Sequence, residues 1–367
     1  MTRIHLAFAL LLFLLNGVPA RAQTGGEVVI GVSKVWTAAA ASVEGRLDVA
    51  EALGADALQV STSPRGMTGA PREIERVTAI TDAAAARGIR VFLAFGGRLG
   101  AMRALTPEAI RAGGAAWGRW ATSRLDDVVA FGVLNEINLA AQRRERREDE
   151  AAAEAIIQEQ VARIVAFAEG VHSECPRCKV IPGGIGGREL NQDFEHAVRF
   201  MEVLAPHVRS GLIDGLDTHW YRGRSAFRPS GGRSGNGRAM WKEDPTAIID
   251  DLLERAGWPL DTDLYMTEVN VRQSTFRNPE EAGAALEAML SALAEDPRTR
   301  AIFVFTPYYN ENRQTDVARN YVIRPGTPVG EAVREVSARF DGGPGGPGGG
   351  PGAEAPWYCR WFGIGCD

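Results

Sequence analysis

The chain has 367 residues, and 41 Lys and Arg against 46 Asp and Glu give a formal net charge of −5 at pH 7. A chain of this length can form one large domain or two small ones, each around an apolar core. Because nucleic-acid binding needs Lys and Arg clustered on one face, this mildly acidic balance with scattered Arg excludes nucleic acid as an expected partner.

Residues 1–22 have the pattern of a secretory signal peptide. Arg3 supplies the positive start, Leu6–Leu15 form the apolar segment, and Ala20-Arg21-Ala22 is the small-residue pattern that precedes a cleavage site. The apolar segment is shorter than the ~20 residues that span a bilayer, and no later run approaches that length. We therefore expect an exported protein, secreted or periplasmic, without a stable membrane anchor.

From Glu27 onward, strand patterns and helix patterns alternate along the chain. Eight short apolar, β-branched runs are separated by stretches with apolar residues at three- and four-residue spacing; the runs are 27–33, 57–63, 89–97, 128–136, 179–185, 211–221, 263–271 and 301–309. Such alternation is typical of the α/β class, in which helices cover a parallel sheet. Eight units predict a single-domain (β/α)8 (TIM) barrel over residues 23–340, with a doubly wound open sheet as the alternative.

Polar side chains stand at the carboxyl ends of several of these strands, where barrel active sites lie. The fourth strand ends in Asn135 and Glu136, the sixth in His219, Trp220 and Tyr221, and the seventh carries Glu268. Strands four and seven face each other across a barrel mouth, so the two glutamates can flank one ligand. Glycoside hydrolysis uses such a pair, and a separation of about 5–5.5 Å makes the second carboxylate a nucleophile.

The segments "LNEIN", "DTHWY" and "MTEVN" around these residues resemble the clan A glycoside hydrolases, which are retaining (β/α)8 glycosidases, and lean towards their family 39 or family 5. The resemblance implies that Glu136 is the general acid/base and Glu268 the nucleophile. It also implies that Asn135 binds a sugar hydroxyl, and that His219 and Tyr221 orient the nucleophile and the sugar.

Many clan members carry an aromatic platform at the end of strand eight, and here that strand reads "FVFTPYY". Tyr308 or Tyr309 is one candidate for the stacking surface, and Trp220 or Trp241 is another. Trp36, at the end of the first strand, is a further candidate for sugar contact.

Other interpretations of these residues stay open. Glu268 could form an ion pair with nearby Arg272, and His219 could be a packed residue inside the barrel. The segment "PGGIGGRE" lacks the glycine order and the Lys-Ser/Thr of phosphate-binding loops, so it is only a weak signal for a phosphate site.

Four cysteines fall into two local pairs, Cys175 with Cys178 and Cys359 with Cys366. In an exported protein these spacings predict two disulfides, since a zinc site would need both distant pairs to converge. The second pair lies in an aromatic tail, 357–367, which follows a Gly/Pro-rich flexible linker, 341–356.

The sequence thus predicts an exported glycoside hydrolase that cleaves O-glycosidic bonds of a poly- or oligosaccharide by a retaining two-glutamate mechanism. No metal site and no cofactor are expected, because only five His are present and one of them lies in the signal. We expect the protein to act as a monomer. The alternatives are a non-catalytic glycan-binding barrel and an interaction protein that binds through its C-terminal tail.

Overall fold

The computed structural model describes residues 28–36, 43–62, 64–96, 105–136, 138, 141, 150–186, 194–224, 229–233, 239–241, 244–306 and 321–340. For 34–36, 64, 229–233 and 239–241 only the backbone is described. The predicted signal peptide, the linker, the tail and its cysteines Cys359 and Cys366 lie outside the described residues.

Strands and helices alternate in the order that the sequence predicts. The strands of the large sheet are β1 Val29–Trp36, β2 Ala57–Thr62, β3 Arg90–Phe95, β4 Val128–Val133, β5 Val180–Pro182, β6 Leu216–Arg222, β7 Leu264–Val271 and β8 Thr299–Phe305. The helices among the described residues are α1 Val43–Ala52, α2 Pro71–Ala85, α3 Pro107–Thr122, α4 Glu150–Glu174, α5 Glu195–Arg209, α6 Pro245–Arg255, α7 Pro279–Ala294 and α8 Pro328–Phe340. Short 3₁₀ helices span Pro64–Thr68 and Gln273–Thr275.

All eight strands of this sheet are parallel, in the order β5-β4-β3-β2-β1-β8-β7-β6. The two ends of the sheet meet just beyond β5, where Ile185 pairs with Thr218 of β6. The Ile185 amide donates to the Asp217 carbonyl at 2.9 Å, and the Ile185 carbonyl accepts from the His219 amide at 3.0 Å. The sheet therefore closes into a (β/α)8 barrel, which confirms the predicted fold over the open-sheet alternative.

A small antiparallel hairpin of Pro229–Arg233 and Ala239–Trp241 follows β6. No helix among the described ranges is both long enough and apolar enough to cross a membrane.

The apolar core has two parts that follow from strand alternation. One set of side chains fills the lower barrel interior: Val29, Ala57, Phe92, Ala130, Ile181, Tyr265, Ala301 and Phe303. The larger set faces outward and packs against the helices. On β6 this alternation turns Leu216 and Trp220 outward, while Asp217 and His219 between them face the interior.

Three helices begin with a capping residue followed by proline, a recognised start signal. Thr106, Asp244 and Asn278 each accept a backbone N–H bond through their side chain, ahead of Pro107, Pro245 and Pro279.

The predicted disulfide between Cys175 and Cys178 is confirmed, with Cα atoms 5.4 Å apart. It lies in the turn that leads from α4 to β5, where both cysteines are buried. By closing this short turn, the bond stabilises the approach of the chain to β5.

Helices α3 and α4 approach each other through glycines. A Cβ atom on Gly114 would lie 2.3 Å from the Phe167 carbonyl oxygen, and one on Gly170 would lie 2.0 Å from the Arg111 carbonyl oxygen. These distances leave no room for a methyl group, so the helix spacing depends on both glycines.

We expect Gly170→Ala to lower the free energy of unfolding by about 3 kcal/mol, because the added methyl group forces two backbones apart. The matched control is Gly45→Ala on the exposed face of α1, where a Cβ atom meets nothing within 4 Å. That change should stabilise by about 0.5–1 kcal/mol. Chemical denaturation measures both, and equal effects of the two variants would refute the glycine-dependent crossing.

Candidate active site

The two glutamates predicted from the sequence approach the same nitrogen atom of one histidine ring, towards the carboxyl ends of the strands. Nδ1 of His219 lies 3.4 Å from Glu136 Oε1 and 3.8 Å from Glu268 Oε2. Two carboxylate oxygens that both approach one nitrogen atom lie close enough to contact the same ligand. The ring itself is fully buried.

The two carboxylates have different surroundings. The Glu136 side chain is 33% exposed at the barrel mouth, whereas that of Glu268 is only 5% exposed. The Glu136 carboxylate is therefore open to an incoming ligand, and the Glu268 carboxylate lies deeper in the same site.

Arg272, the alternative partner of Glu268, lies on the exposed loop after β7.

Glu136 is held by an unusual turn at the end of β4. Leu134 and Glu136 both have positive φ, at 76° and 48°, in the left-handed region that costs non-glycine residues about 1–2 kcal/mol each. The turn is fixed on both sides, since the Leu134 amide donates to the Phe95 carbonyl at 2.7 Å and the Glu136 amide to the Gly184 carbonyl at 2.9 Å.

The glycines after β5 leave space for this arrangement. A Cβ atom would lie 1.9 Å from the Leu134 carbonyl oxygen at Gly183, 2.0 Å from His219 Nε2 at Gly184, and 2.7 Å from Glu136 Cγ at Gly186. Residues 183–186 therefore bring bare backbone against the turn, the ring and the carboxylate. Sequence reasoning missed this role, although a glycine cluster at the end of a barrel strand was a visible signal.

A β-bulge in β7 turns two consecutive side chains into the barrel. Relative to β6, the register passes from Asp217↔Tyr265 to His219↔Glu268, so β7 contains one extra residue. The pairing with β8 shifts over the same stretch. Thr267 and Glu268 consequently both reach β6 side chains, which regular alternation would forbid.

Tyr221 links the deeper glutamate to an aromatic group. Its hydroxyl donates a short hydrogen bond to Glu268 Oε2, and its ring lies edge-on to Phe305 and Tyr321, with centroids 5.5 and 5.3 Å away. Burial, followed by the Glu268 carboxylate, raises the pKa of Tyr221 well above its usual value, so the hydroxyl stays a donor.

Phe305 and Tyr321 were not predicted as site residues. The fully buried Asn270 holds them in place, because its Nδ2 donates to the Phe305 and Tyr321 carbonyls.

A series of buried polar side chains, joined by hydrogen bonds, leads from His219 into the barrel interior. Nε2 of His219 lies 3.1 Å from Thr267 Oγ1, which lies 2.7 Å from Asp217 Oδ2. The Thr267 amide also donates to Asp217 Oδ1 at 2.9 Å.

The pKa values of Asp217 and His219, the two ionisable groups joined by Thr267, are both shifted. Burial raises the pKa of Asp217 to about 7, against the opposing effect of His219 and the Thr267 hydrogen bonds. Burial opposes the charged ring of His219, but the surrounding Glu268, Glu136 and Asp217 carboxylates outweigh it and raise the pKa of His219.

The remaining predicted residues fall into three groups. Asn135 is exposed beside Glu136 at the mouth. Trp36 and Trp241 lie at strand ends, β1 and the hairpin respectively, and only their backbone is described. Tyr308 and Tyr309 lie outside the described residues.

The expectation that Trp220 stacks on a sugar is wrong. Trp220 is 3% exposed and packs in the layer between strands and helices. Its Nε1 donates to Thr218 Oγ1 at 2.7 Å, and the Arg222 guanidinium lies over its ring at 4.8 Å. Because His219 and Tyr221 face inward, the residue between them must face outward.

No cluster of three or more His, Cys, Asp or Glu side chains suited to a metal ion occurs in the described part of the chain. The polar groups of the site pair with one another through hydrogen bonds.

No protein-family model matches the chain, and no curated protein sequence matches it. Solved structures with the same fold include an endo-β-1,4-mannanase from Thermotoga petrophila, at a TM-score of 0.54 and 11% identity, covering 88% of this chain and 79% of that one. A second mannanase structure, from Thermotoga petrophila RKU-1, has a TM-score of 0.50 and 12% identity and covers 84% and 99%. The virulence factor SghA from Agrobacterium tumefaciens has a TM-score of 0.50 and 13% identity and covers 82% and 86%. At these identities the likeness establishes the shared barrel fold.

Asp217 should make stability depend on pH. Because its folded-state pKa, about 7, lies above the ordinary value of 3.8, the native state holds this proton after the unfolded chain has lost it. The free energy of unfolding therefore falls as pH rises from about 4 to about 7, by up to about 4 kcal/mol from this group. We expect Asp217→Asn to remove that component of the slope in denaturation curves measured across this range.

The control is Asp261→Asn, an exposed carboxylate on the loop before β7. This variant should keep the wild-type slope. If Asp217→Asn also keeps it, Asp217 does not hold a buried proton.

Proposed function

We propose that this protein is an exported glycoside hydrolase that cleaves O-glycosidic bonds of a poly- or oligosaccharide with retention of configuration. The observation that carries the proposal is the approach of Glu136 and Glu268 to the same nitrogen atom of His219 at the barrel mouth. Their contrasting exposure supports a division of roles between an accessible proton donor and a buried nucleophile.

In the first step, Glu136 gives its proton to the glycosidic oxygen as the bond to the anomeric carbon breaks, and a Glu268 oxygen bonds to that carbon. In the second, Glu136 takes a proton from water, the water oxygen displaces Glu268, and both residues return to their starting states. The Tyr221 hydroxyl and the ring of His219 lie beside Glu268, where donors favour its ionised form.

A sugar substrate fits the surroundings of the two acids. Asn135 is exposed next to Glu136 and can bond a hydroxyl group, while Tyr221 lies beside Glu268 and packs edge-on against the ring of Tyr321. Mannanases from Thermotoga petrophila are among the structures with this fold, and their names support a carbohydrate as the substrate class. The Cys175–Cys178 disulfide supports export, since such bonds persist in oxidising compartments.

We expect Glu136→Gln to lower kcat/KM by about 10²–10⁴-fold on glycosides with a poor leaving group, because general acid catalysis is lost. Activated aryl glycosides, whose leaving group needs no proton, should lose less in bond cleavage. Glu268→Gln should abolish turnover of both kinds. The measurement is a screen of purified protein against polysaccharides and aryl glycosides, with product anomers followed by NMR.

Glu254→Gln, an exposed glutamate on α6, is the matched control and should leave activity unchanged. The proposal fails if the two site variants hydrolyse as well as the wild type, or if the first product has inverted configuration. A wild-type protein that binds glycans and hydrolyses none of them would instead be a non-catalytic glycan-binding barrel.

A further inference from the structure

The hydroxyl of Thr267 joins a buried acid to the ring between the two glutamates. It lies 2.7 Å from Asp217 Oδ2 and 3.1 Å from His219 Nε2. Asp217, Thr267 and His219 are 1%, 2% and 5% exposed, so water does not compete for these bonds. A hydroxyl has a single proton, which means that Thr267 donates to one neighbour and accepts from the other.

We propose that Asp217 and Thr267 are positioning residues that form a proton relay to His219, and that this relay keeps a proton on Nδ1, facing Glu136 and Glu268. The role of this relay in catalysis rests on the proposed function. The protonation states of Asp217 and His219 do not depend on it.

Two arrangements of the relay are equivalent in proton count. When Asp217 is ionised, Thr267 donates to it and accepts from Nε2–H of a doubly protonated ring. When Asp217 is protonated, it donates to Thr267, which donates to Nε2 of a neutral ring. In both arrangements Nδ1 carries a proton, and Asp217 and His219 together have no net charge.

Loss of one proton from the Asp217–His219 pair removes the proton from Nδ1, the nitrogen that faces the two glutamates. Thr267 then donates to the ionised Asp217 and accepts from Nε2–H, so a lone pair on Nδ1 faces the carboxylates. The groups that face Nδ1 of the ring are Glu136 from the end of β4 and Glu268 from β7. The Tyr221 hydroxyl donates a hydrogen bond to Glu268. The raised pKa values of Asp217 and His219 agree with a pair that holds both protons near neutral pH.

Asp217→Asn tests the relay because it fixes the direction of the hydrogen bonds. The Thr267 amide donates to Oδ1 of residue 217, so the Asn carbonyl oxygen takes that position and its NH₂ group faces the Thr267 hydroxyl. Thr267 must then donate to Nε2 of His219. We expect Nδ1 to keep its proton in this variant at alkaline pH values where the wild type loses it.

The measurement is NMR of the full protein labelled with ¹⁵N in histidine rings, over a pH titration, with His219→Gln to identify the signals. In a Thr267→Val background, Asp217→Asn should no longer change the protonation pattern of the ring, because the link is cut. Thr267→Ser keeps the hydroxyl and should restore the effect. A role in packing alone would change stability and leave the protonation pattern as in the wild type.

The proposal is overturned if Asp217→Asn leaves the ring signals unchanged at every pH, or changes them equally with Thr267→Val present. On an active glycoside, the alkaline limb of kcat/KM should move up by about one pH unit or more in Asp217→Asn. If no glycoside is hydrolysed, the proposed function fails, and the NMR titration still decides the relay.

Discussion

The imidazole ring of His219 lies between two carboxylates that would otherwise repel each other in a partly buried cleft. When both acids are ionised, two like charges at such a distance raise the free energy of the site, and a buried charge without a partner costs several kcal/mol. A proton on Nδ1 of His219, which faces Glu136 and Glu268, compensates both effects. The close approach of the two acids therefore depends on the position and the protonation of this one side chain.

Four features of the barrel place the ring and the acids together. Closure at Ile185 brings β5 beside β6, and Gly184 of the same segment leaves room for the ring. The bulge in β7 turns Thr267 and Glu268 inward together. The left-handed turn at Leu134 and Glu136 brings the second carboxylate across the mouth. The bulge and the turn depart from regular strand geometry, as is common at functional sites.

The order of the elements could be predicted from the sequence, because apolar runs and stretches with helical spacing alternate clearly. A capping residue followed by proline also marks the start of three helices. The positions of Glu136 and Glu268 at strand ends could be predicted for the same reason. The bulge in β7 could not, since a single extra residue leaves no mark in the hydrophobic pattern yet changes which side chains face inward. The positive φ values have no signal either, because Leu134 and Glu136 are not residues that favour them.

Trp220 shows a different kind of error. Its strand already contained the answer, since residues on either side of it were expected to face the site and a strand alternates faces. Tyr321 could not be placed from sequence, because it lies outside the predicted strands and its contact with Tyr221 joins distant parts of the chain.

If Glu136 and Glu268 act on the same sugar bond from its two sides, a covalent intermediate can be trapped with a panel of activated 2-deoxy-2-fluoro glycosides and located by mass spectrometry of the peptides. We expect a single sugar on the peptide that contains Glu268, and none when that residue is Gln. A sugar attached to any other residue would rule out Glu268 as the nucleophile.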